Sequence, residues 1–479
     1  MRSHRALVNI LFSPYNEKIM KIQFHKTDLT LLLLLTIPLI LSSLTEASLG
    51  FTSTIFLAHL GPKVLGAGSL VIWFFATLMV IIWGLMTAVS VLISRHHGAG
   101  DTLKASRALH TALWLTLFLC LPLTLIVWNM AEILTWLGQS PHVVNLAKPY
   151  LHALAFGVLP DLSGLVCLQF LIGLGKTRVS LAFTLCWVPL NIFFNAILTF
   201  GLLGLPALGI GGLGLGATLS YWITTLGLLI YLLRHREFRH YFKNGHVIPA
   251  WQDFRQILAV GLPLGLMFFV EVGFFFILTL MMGFYGADAL AANQVAVQSI
   301  SLFAALMFPI AQGITVRMGH QLGAQDSPSA HRSAMAGITL AISVSLIFAL
   351  IGWFVPELFV RLDFGSHAVL PPEILMHITH FLIWAGVFQL FESQRIALFG
   401  ALRALKDTRF TLFTSILSFW GIGLGSGLLL RHLLGAQGYW AGFALGGMTG
   451  ALLLWFRYAH QYHKYQKRIH APSSISGSH

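Results

Sequence analysis

Four acidic side chains fall inside long apolar segments of the chain. They are Glu46, Asp161, Glu271 and Glu392, out of sixteen acidic residues in total. Ionisable groups inside a membrane are costly and usually mark a path for an ion or a substrate. A carboxyl group out of water holds a proton more firmly, and with nearby hydroxyl and amide oxygens it can instead bind sodium. We therefore expect these four carboxyl groups to couple a gradient of Na+ or H+ to a conformational change.

The acidic residues also belong to an internal repeat. Shifting the chain by an offset of 225 places Glu46 on Glu271, and without a gap it places residues 98–101 (GAGD) on residues 323–326 (GAQD). Chance rarely produces such matches in apolar sequence. The chain is therefore a duplicated module that carries an acid at the same place in each copy.

The second pair of acids repeats less regularly. Asp161 falls on Glu392 at an offset of 231, whereas neighbouring glycines require 229. Glu392 also lies one helical turn before Arg395, so an ion pair that neutralises both is an alternative to a coupling role. Asp161, next to Pro160, could reach interfacial water instead. For Glu46 the alternative is a buried hydrogen bond to a neighbouring span.

The composition is that of an integral membrane protein. Hydrophobic residues make up 57% of the chain and charged residues 9%, whereas soluble domains carry about 25% charged residues. A membrane-crossing helix needs about 20 mostly apolar residues, and twelve segments meet this requirement. The predicted spans are 31–60, 64–94, 108–129, 143–172, 179–203, 209–233, 256–283, 288–316, 333–355, 373–402, 410–430 and 438–458.

The number of spans predicts how the two copies are arranged. Six spans fall in each copy, and an even number returns the chain to the side on which it started, so both copies have the same orientation. The predicted fold is all-α, with twelve transmembrane helices in two parallel-repeat six-helix bundles around a central cavity. Its predicted parts are a cytoplasmic N-terminal tail (1–29), a first lobe (30–233), a cytoplasmic loop (234–254), a second lobe (255–460) and a cytoplasmic C-terminal tail (461–479).

Lysine and arginine residues predict the orientation in the membrane, because positively charged loops stay in the cytoplasm. With the N-terminus inside, 24 of them fall on inside segments and four on outside segments. This distribution explains the net charge of +13, and without a soluble basic domain we expect no binding to nucleic acid. Residues 1–28 show no cleavable signal, and Met20 is an alternative start.

Sequence patterns of enzymes and cofactor sites are missing or misplaced. There is no HExxH, GxSxG or P-loop pattern. The GxGxxG match at 209–214 opens a full membrane span, which favours close helix packing over a dinucleotide site. The three cysteines show no CxxC spacing. We expect a protein that is not an enzyme and that carries neither a cofactor nor a structural metal.

At this point the sequence resembles a known family. Residues 292–303 (ANQVAVQSISLF) and 317–326 (RMGHQLGAQD) resemble the eighth span of the multidrug and toxic compound extrusion (MATE) family, in its NorM-like branch. Residues 269–272 resemble the seventh span and residues 50–54 the first. The likeness extends over essentially the whole chain from residue 30 to residue 460.

The resemblance implies a monomeric antiporter of the bacterial cytoplasmic membrane. Such proteins export amphipathic, often cationic drugs in exchange for Na+ or H+. Glu271 takes the place of the family's acid in span seven, and Glu392 takes the place of an aspartate in span ten, so sodium could bind at these two. Ser53 stands where the first-span aspartate of the family is expected, and Glu46 is a candidate replacement for it.

Residues near these acids are expected to line the substrate cavity. Aromatic rings among them could stack on planar drugs or bind a cation, although packing against neighbouring spans is the alternative for each. Asn195 is paired with Asn191 one turn earlier, which also favours a hydrogen bond between helices. The expected lining residues are Ser53, Asn195, Phe269, Phe274, Gln294, Phe391 and Arg395.

Other functions fit the sequence less well. A lipid-linked oligosaccharide flippase is the alternative within the same superfamily, but its cavity would need several basic groups for a pyrophosphate, and only Arg395 qualifies. A membrane-embedded enzyme would need a cluster of histidine and acidic residues at a membrane face. A passive channel is disfavoured because few charges lie within the spans.

Overall fold

The computed structural model of the protein describes residues 26–243, 249–364 and 371–470. Most of the predicted N-terminal tail, including the alternative start at Met20, lies outside these described residues. So do residues 244–248 of the predicted loop between the lobes and residues 471–479 of the predicted C-terminal tail.

The described residues are helical and contain no β-strand. Eleven helices are long and apolar enough to cross a membrane, and a pair of shorter helices bent by 48° supplies a twelfth crossing. The predicted all-α architecture is confirmed, with twelve spans when the bent pair counts as one. Spans 1 to 12 are Asp28–His59, Pro62–Gly98, Thr102–Trp128, the pair Pro141–Ala155 and Val158–Gly173, Thr177–Phe200, Ile210–Arg234, Trp251–Gly283, Ala287–Gly323, Ser327–Phe354, Pro372–Ala404, Thr408–Leu434 and Gln437–Lys467. Shorter helices lie at Met130–Trp136, Arg239–Lys243 and Glu357–Phe364.

The duplication is visible in the backbone between spans 2 and 3 and between spans 8 and 9. Asp101 caps span 3 by accepting a hydrogen bond from the backbone N–H three residues later, at 2.9 Å. Asp326 caps span 9 in the same way, at 3.0 Å. The residues before these caps, Gly100 and Gln325, both have left-handed backbone, with φ of +71° and +61°. The offset of 225 therefore relates two turns with the same backbone conformation and the same aspartate cap.

The offset of 231 also relates equal turns. Gly175 lies between spans 4 and 5 with a φ of +77°, and Lys406 lies between spans 10 and 11 with a φ of +63°. Lys406 falls on Gly175 at this offset. Spans 4 and 5 of the first lobe therefore correspond to spans 10 and 11 of the second lobe in the same register.

Span 4 is broken, whereas the sequence predicts one continuous segment from 143 to 172. The first helix ends at Ala155 and the second begins at Val158. Pro160 lies in the first turn of the second helix. A proline there is compatible with a new helix, but inside a continuous one its ring would clash with the carbonyl of Phe156. The bend therefore has a local cause in the sequence.

Spans 11 and 12 also differ from simple helices of the predicted length. Residues 416–423 of span 11 form a wider π-helical turn, which is common at functional sites. The helix of span 12 continues to His470, past the predicted lobe boundary at residue 460. Within this extension the Tyr465 hydroxyl donates to the Leu322 carbonyl at 2.8 Å. Residues 461–467 thus pack against the second lobe.

The two lobes meet closely at one end of the molecule, where Gly98 and Gly323 lie; we call it the inner end. A Cβ atom at Gly98 would lie 2.0 Å from the carbonyl oxygen of His320, and one at Gly323 would lie 2.2 Å from that of Arg95. Both neighbours are backbone atoms and cannot move aside. These four positions also obey the offset of 225. Each lobe therefore contributes an equivalent glycine, which lies against the backbone of the other lobe.

Polar contacts join the lobes at the same end. Asp28 of span 1 accepts hydrogen bonds from Arg317, at 2.8 Å, and from Arg332, at 3.2 Å, both in the second lobe. Gln312 of span 8 donates to the Ser90 hydroxyl of span 2 at 2.8 Å. The inner end, which the sequence predicts to face the cytoplasm, is therefore closed in this structure.

The paired turns provide a stability test. A side chain on left-handed backbone costs about 1 to 2 kcal/mol, partly offset by the entropy that a glycine loses on folding. Gly100→Gln should therefore lower the stability of the protein by about 1 kcal/mol, and the reverse change Gln325→Gly should not lower it. Thermal unfolding of the purified protein in detergent should rank Gln325→Gly at or above wild type and Gly100→Gln below it. Equal unfolding temperatures for the two variants would contradict this account.

Candidate functional site

In the second lobe, two of the predicted acids converge on one arginine. The Arg395 guanidinium contacts Glu392 through Nη2 at 2.6 Å and through Nε at 2.7 Å. Its Nη2 also contacts Glu271 Oε1 at 2.9 Å. The Arg395 side chain is only 2% exposed. The predicted ion pair of Glu392 and Arg395 is therefore present, and it includes Glu271.

Neighbouring residues complete the surroundings of this guanidinium. Arg395 Nη1 donates to the Ser415 hydroxyl at 2.9 Å, and that hydroxyl donates to Glu271 at 3.1 Å. The Phe419 ring lies 4.8 Å from the guanidinium carbon, within range of a cation–π interaction. A Cβ at Gly450 would lie 3.1 Å from Arg395 Cδ, so this glycine leaves room for the long side chain. We call Glu271, Glu392 and Arg395 the second-lobe triad.

In the first lobe, the other two acids share a cavity of about 360 Å³. Glu46 of span 1 is exposed and Asp161 of span 4 is half-buried. The Trp83 indole N–H donates to Asp161 at 3.1 Å. The walls come from spans 1, 2, 4, 5 and 6, and we call the space the first-lobe cavity. Its lining residues are Glu46, Trp83, Pro160, Asp161, Gly164, Leu165, Leu168, Phe183, Thr184, Trp187, Tyr221, Thr224, Thr225 and Leu228.

Aromatic residues that the sequence analysis missed form much of this cavity. Trp187 and Tyr221 stack with ring centroids 5.6 Å apart, and Trp83 holds Asp161. The Trp187 indole nitrogen and the Thr224 hydroxyl are buried, and neither has a hydrogen-bond partner among the described residues. The repeat gives no signal for Trp83, since its counterpart at the offset of 225 is Phe308.

Acids that occupy corresponding positions in the two copies of the repeat therefore lie in different lobes and do not share a site. Glu46 corresponds to Glu271 and Asp161 to Glu392, but the structure brings together the two acids of each lobe. Side chains of spans 1 and 4 line one cavity in the first lobe, and side chains of spans 7 and 10 form an ion pair in the second lobe. Each lobe thus holds its own pair of carboxyl groups.

Besides Arg395, which is 2% exposed in the second-lobe triad, two of the residues predicted to line the substrate cavity are buried elsewhere. Asn195 is 3% exposed and donates to Asn191 at 2.7 Å, while Asn191 donates to Ser220 of span 6 at 2.9 Å. Phe274 is 2% exposed and packs against Phe443 with ring centroids 4.8 Å apart. Neither side chain can contact a drug in this arrangement, because helix packing covers both.

The remaining predicted lining residues also lie outside the first-lobe cavity. Phe269 is 42% exposed on span 7, two residues from Glu271. Gln294 is exposed, and Ser53 and Phe391 are half-buried. Their exposure keeps them as predicted contacts for a substrate between the lobes.

Comparison with known proteins places this architecture in a family. A sequence model of the MatE family matches residues 38–197 and 263–429. The starts of the two matched segments, at 38 and 263, obey the offset of 225 found in the repeat. The chain belongs to the MatE family. The resemblance found in the sequence is confirmed.

Relatives of this MatE protein match it along most of its length. Probable multidrug resistance protein NorM of Synechococcus sp. is 33% identical over 91% of this chain and 95% of its own. The protein of the same description from Pseudomonas aeruginosa is 31% identical over 89% of this chain and 88% of its own.

Solved structures agree with the fold. A crystal structure of MATE in complex with MaL6 gives a TM-score of 0.83 at 20% identity, over 92% of this chain and 97% of that one. An outward-facing multidrug resistance MATE family transporter of the MOP superfamily gives 0.82 at 20% identity, with the same coverage. The predicted two-lobed MATE architecture is therefore confirmed.

The second-lobe triad of this MatE chain leads to a stability prediction. Removing one partner of a buried ion pair typically costs about 3 to 5 kcal/mol, because a charge is left without a partner. Arg395→Met should have a cost of this order, since two carboxylates lose the cation that both contact. The triple variant with Glu271→Gln and Glu392→Gln should recover much of it. Unfolding of the purified variants in detergent measures the effect, and an unchanged Arg395→Met protein would contradict it.

Proposed function

We propose that the protein is a secondary active multidrug efflux antiporter. It exports amphipathic, often cationic compounds and takes up Na+ or H+ in exchange. The observation that carries this proposal is the pair of membrane-embedded carboxyl groups in each of two duplicated lobes. The relatives named multidrug resistance protein NorM support it, because the chain matches them nearly end to end.

Alternating access is the mechanism that this architecture supports. Two parallel lobes can rock about a site near the middle of the membrane, and their inner contacts are helix crossings and hydrogen bonds that can separate as a unit. A ligand drives such a change only through different affinities for the two states. The carboxyl groups supply that difference, because their negative charge is neutralised when a proton, a sodium ion or a cationic drug binds.

We assign coupling roles to the four acids. Glu271 and Glu392 belong to the second-lobe triad, which has one more negative than positive charge when all three are ionised. That excess charge can be neutralised by a proton or a sodium ion. Glu46 and Asp161 provide the corresponding groups in the first lobe. Cationic drug and coupling ion then compete for negative charge, so that entry of one expels the other.

The cellular setting follows from the same proposal. The protein acts in the bacterial cytoplasmic membrane, as a monomer with both termini in the cytoplasm, and it is not an enzyme. The bacterial relatives support this location. A lipid-linked oligosaccharide flippase is less well supported, because the lining of the first-lobe cavity has two carboxyl groups and no basic residue. Such a cavity repels a pyrophosphate.

Glu271→Gln tests the coupling role directly. The change keeps the shape of the side chain and removes its charge, and the Arg395–Glu392 pair remains. We expect export of a cationic dye from cells to fall at least tenfold. Glu357→Gln, at an exposed acid outside the spans, is the matched control and should export like wild type. Equal export by both variants would contradict the coupling role, and collapsing the sodium and proton gradients separately identifies the ion.

Gly98→Val tests closure at the inner end. The added side chain meets the His320 backbone and should hold the lobes apart there. We expect export to fall. We also expect a cysteine introduced at the buried position of Ser94 to react faster with a membrane-impermeant maleimide, measured in inverted vesicles. The reaction is measured in a background without native cysteines. Gly227→Val, at a glycine with open space around it, is the control. Equal labelling in both variants would argue against inner-end closure by this crossing.

A further inference from the structure

The duplication gives the inner end two corresponding places where the lobes meet, and their charges differ. At one of them, Asp28 of span 1 pairs with Arg317 of span 8. At the offset of 225 the counterparts are Asp253 of span 7 and Leu92 of span 2, and the helices that contain spans 1 and 7 begin at positions that obey the same offset. The Asp253 carboxylate instead accepts a hydrogen bond from the backbone N–H of Ala250, at 3.3 Å. The ion pair between the lobes is therefore not repeated at the second place.

A cavity of about 280 Å³ lies at this second place, and we call it the inner cleft. Leu92 of the first lobe lines it together with Ala259 and Val260 of span 7. Lys406, between spans 10 and 11, and Arg409, in the first turn of span 11, also line it. The inner cleft thus combines apolar residues of two membrane spans with two cations, and it draws its wall from both lobes.

The cations of the inner cleft have no anionic partner in the part of the chain that the structure describes. Lys406 is half-buried and Arg409 is exposed, and neither takes part in any of the ion pairs found there. Asp407 also lines the cleft, but its carboxylate accepts hydrogen bonds from Arg457, at 2.6 Å, and from Gln461, at 2.7 Å. The acid of the cleft is therefore already neutralised, and its cations are not.

The environment of Lys406 favours an anion beside it. Burial and the nearby charge of Arg95 lower the pKa of Lys406 to about 8. Both causes oppose the charged form of this side chain, and a bound anion would offset both. Lys406 and Arg95 belong to different lobes, so an anion near them would also reduce a repulsion between the lobes.

We propose that the inner cleft binds the phosphate group of an anionic phospholipid from the inner leaflet of the membrane. Lys406 and Arg409 provide the positive charge, and the Arg409 guanidinium can bind two phosphate oxygens at once. The proposal does not depend on the antiport function, because the lipid is a bound ligand and not the exported compound.

The apolar part of the wall favours a lipid over free phosphate. Ala259 is exposed on span 7, so the cleft continues onto a surface that acyl chains can cover. Basic pockets between membrane helices on the cytoplasmic side commonly bind anionic headgroups. Free phosphate would use the two cations and leave the apolar residues in contact with water.

Binding of this lipid should favour the closed inner end. Residues of both lobes line the cleft, so separation of the lobes would divide the site. A ligand shifts an equilibrium toward the state that it binds more tightly. The phospholipid would therefore act at the second place as the ion pair of Asp28 does at the first.

Native mass spectrometry of the purified, delipidated full-length protein tests the site. Titration with dioleoylphosphatidylglycerol gives the dissociation constant of the first bound lipid. Lys406→Gln/Arg409→Gln should bind roughly tenfold more weakly than wild type, because each cation near the headgroup contributes to the affinity. The control Arg178→Gln/Arg236→Gln removes the same charge at two exposed arginines that do not line the cleft, and it should bind within about twofold of wild type. Equal losses in the two double variants would overturn the site.

The ligands of the titration separate the sources of the phosphate group. Dioleoylphosphatidylcholine has the same acyl chains and no net charge, and it should bind wild type roughly tenfold more weakly than the anionic lipid. Equal binding of the two lipids would overturn the argument from charge. Inorganic phosphate should not displace the anionic lipid at equal concentration. Displacement by it would overturn the assignment to a lipid.

A further variant tests the place without changing charge. Ala259→Trp fills the cleft and should weaken binding of the anionic lipid roughly as much as the loss of both cations. Leu121→Trp, at a leucine of span 3 that is 68% exposed, is the control for added bulk and should bind like wild type. Monodisperse elution and an unchanged unfolding temperature check that every variant is folded. Equal binding by the two tryptophan variants would contradict binding in the cleft.

The effect on closure is measured with a cysteine at the position of Ser94, in a background without native cysteines. In nanodiscs of dioleoylphosphatidylglycerol this cysteine should react with a maleimide about threefold more slowly than in nanodiscs of the phosphatidylcholine. The difference should disappear in Lys406→Gln/Arg409→Gln. Equal rates for the otherwise unchanged protein in both nanodiscs would overturn the effect on closure.

Discussion

A carboxylate inside a membrane-embedded lobe needs a positive partner or a proton, and the second lobe meets this need with one buried guanidinium. Arg395 contacts Glu271 of span 7, Glu392 of its own span 10, and Ser415 of span 11. Gly450 of span 12 leaves room for its stem. One buried cation therefore links four spans of the lobe, and the wide π-helical turn of span 11 begins directly after Ser415.

The first lobe has the same architecture and a different electrostatic state. Its acids, Glu46 and Asp161, lie in the corresponding spans, but Gly164 stands at the position that Arg395 has in the second lobe at the offset of 231, and the space between the helices is a cavity. Nothing in the cavity lining neutralises these acids, so their charge depends on what enters. In the proposed mechanism the two lobes differ in the charge that a ligand can neutralise, because the first lobe has two acids without a cation and the second-lobe triad has one excess negative charge.

The sequence predicts the parts of this structure that follow from simple periodicity and from duplication. Long apolar segments give twelve spans, and the offset of 225 gives two parallel lobes, since both depend on local composition and order. The break in span 4 was also readable in principle from Pro160. The burial of Asn195 and Phe274, by contrast, depends on which face of a helix meets which neighbour. The polarity of Asn195 and the aromatic ring of Phe274 do not show whether a residue lines a pocket or packs in an interface between helices. For the same reason the sequence does not identify Trp187 as a cavity residue.

At the closed inner end, shape and ion pairs hold the lobes together, and one pair of like charges opposes them. Gly98 and Gly323 allow backbones to cross closely, and the ion pairs of Asp28 add attraction across the same surface. Against this, burial and the nearby charge of Arg95 lower the pKa of Lys406 to about 8. The two cations belong to different lobes, so the closed arrangement disfavours the charged form of Lys406, and that charge in turn favours separation. A transporter that alternates between two states needs this kind of balance, because closure that nothing opposed would leave the carboxyl groups without access to the inner side.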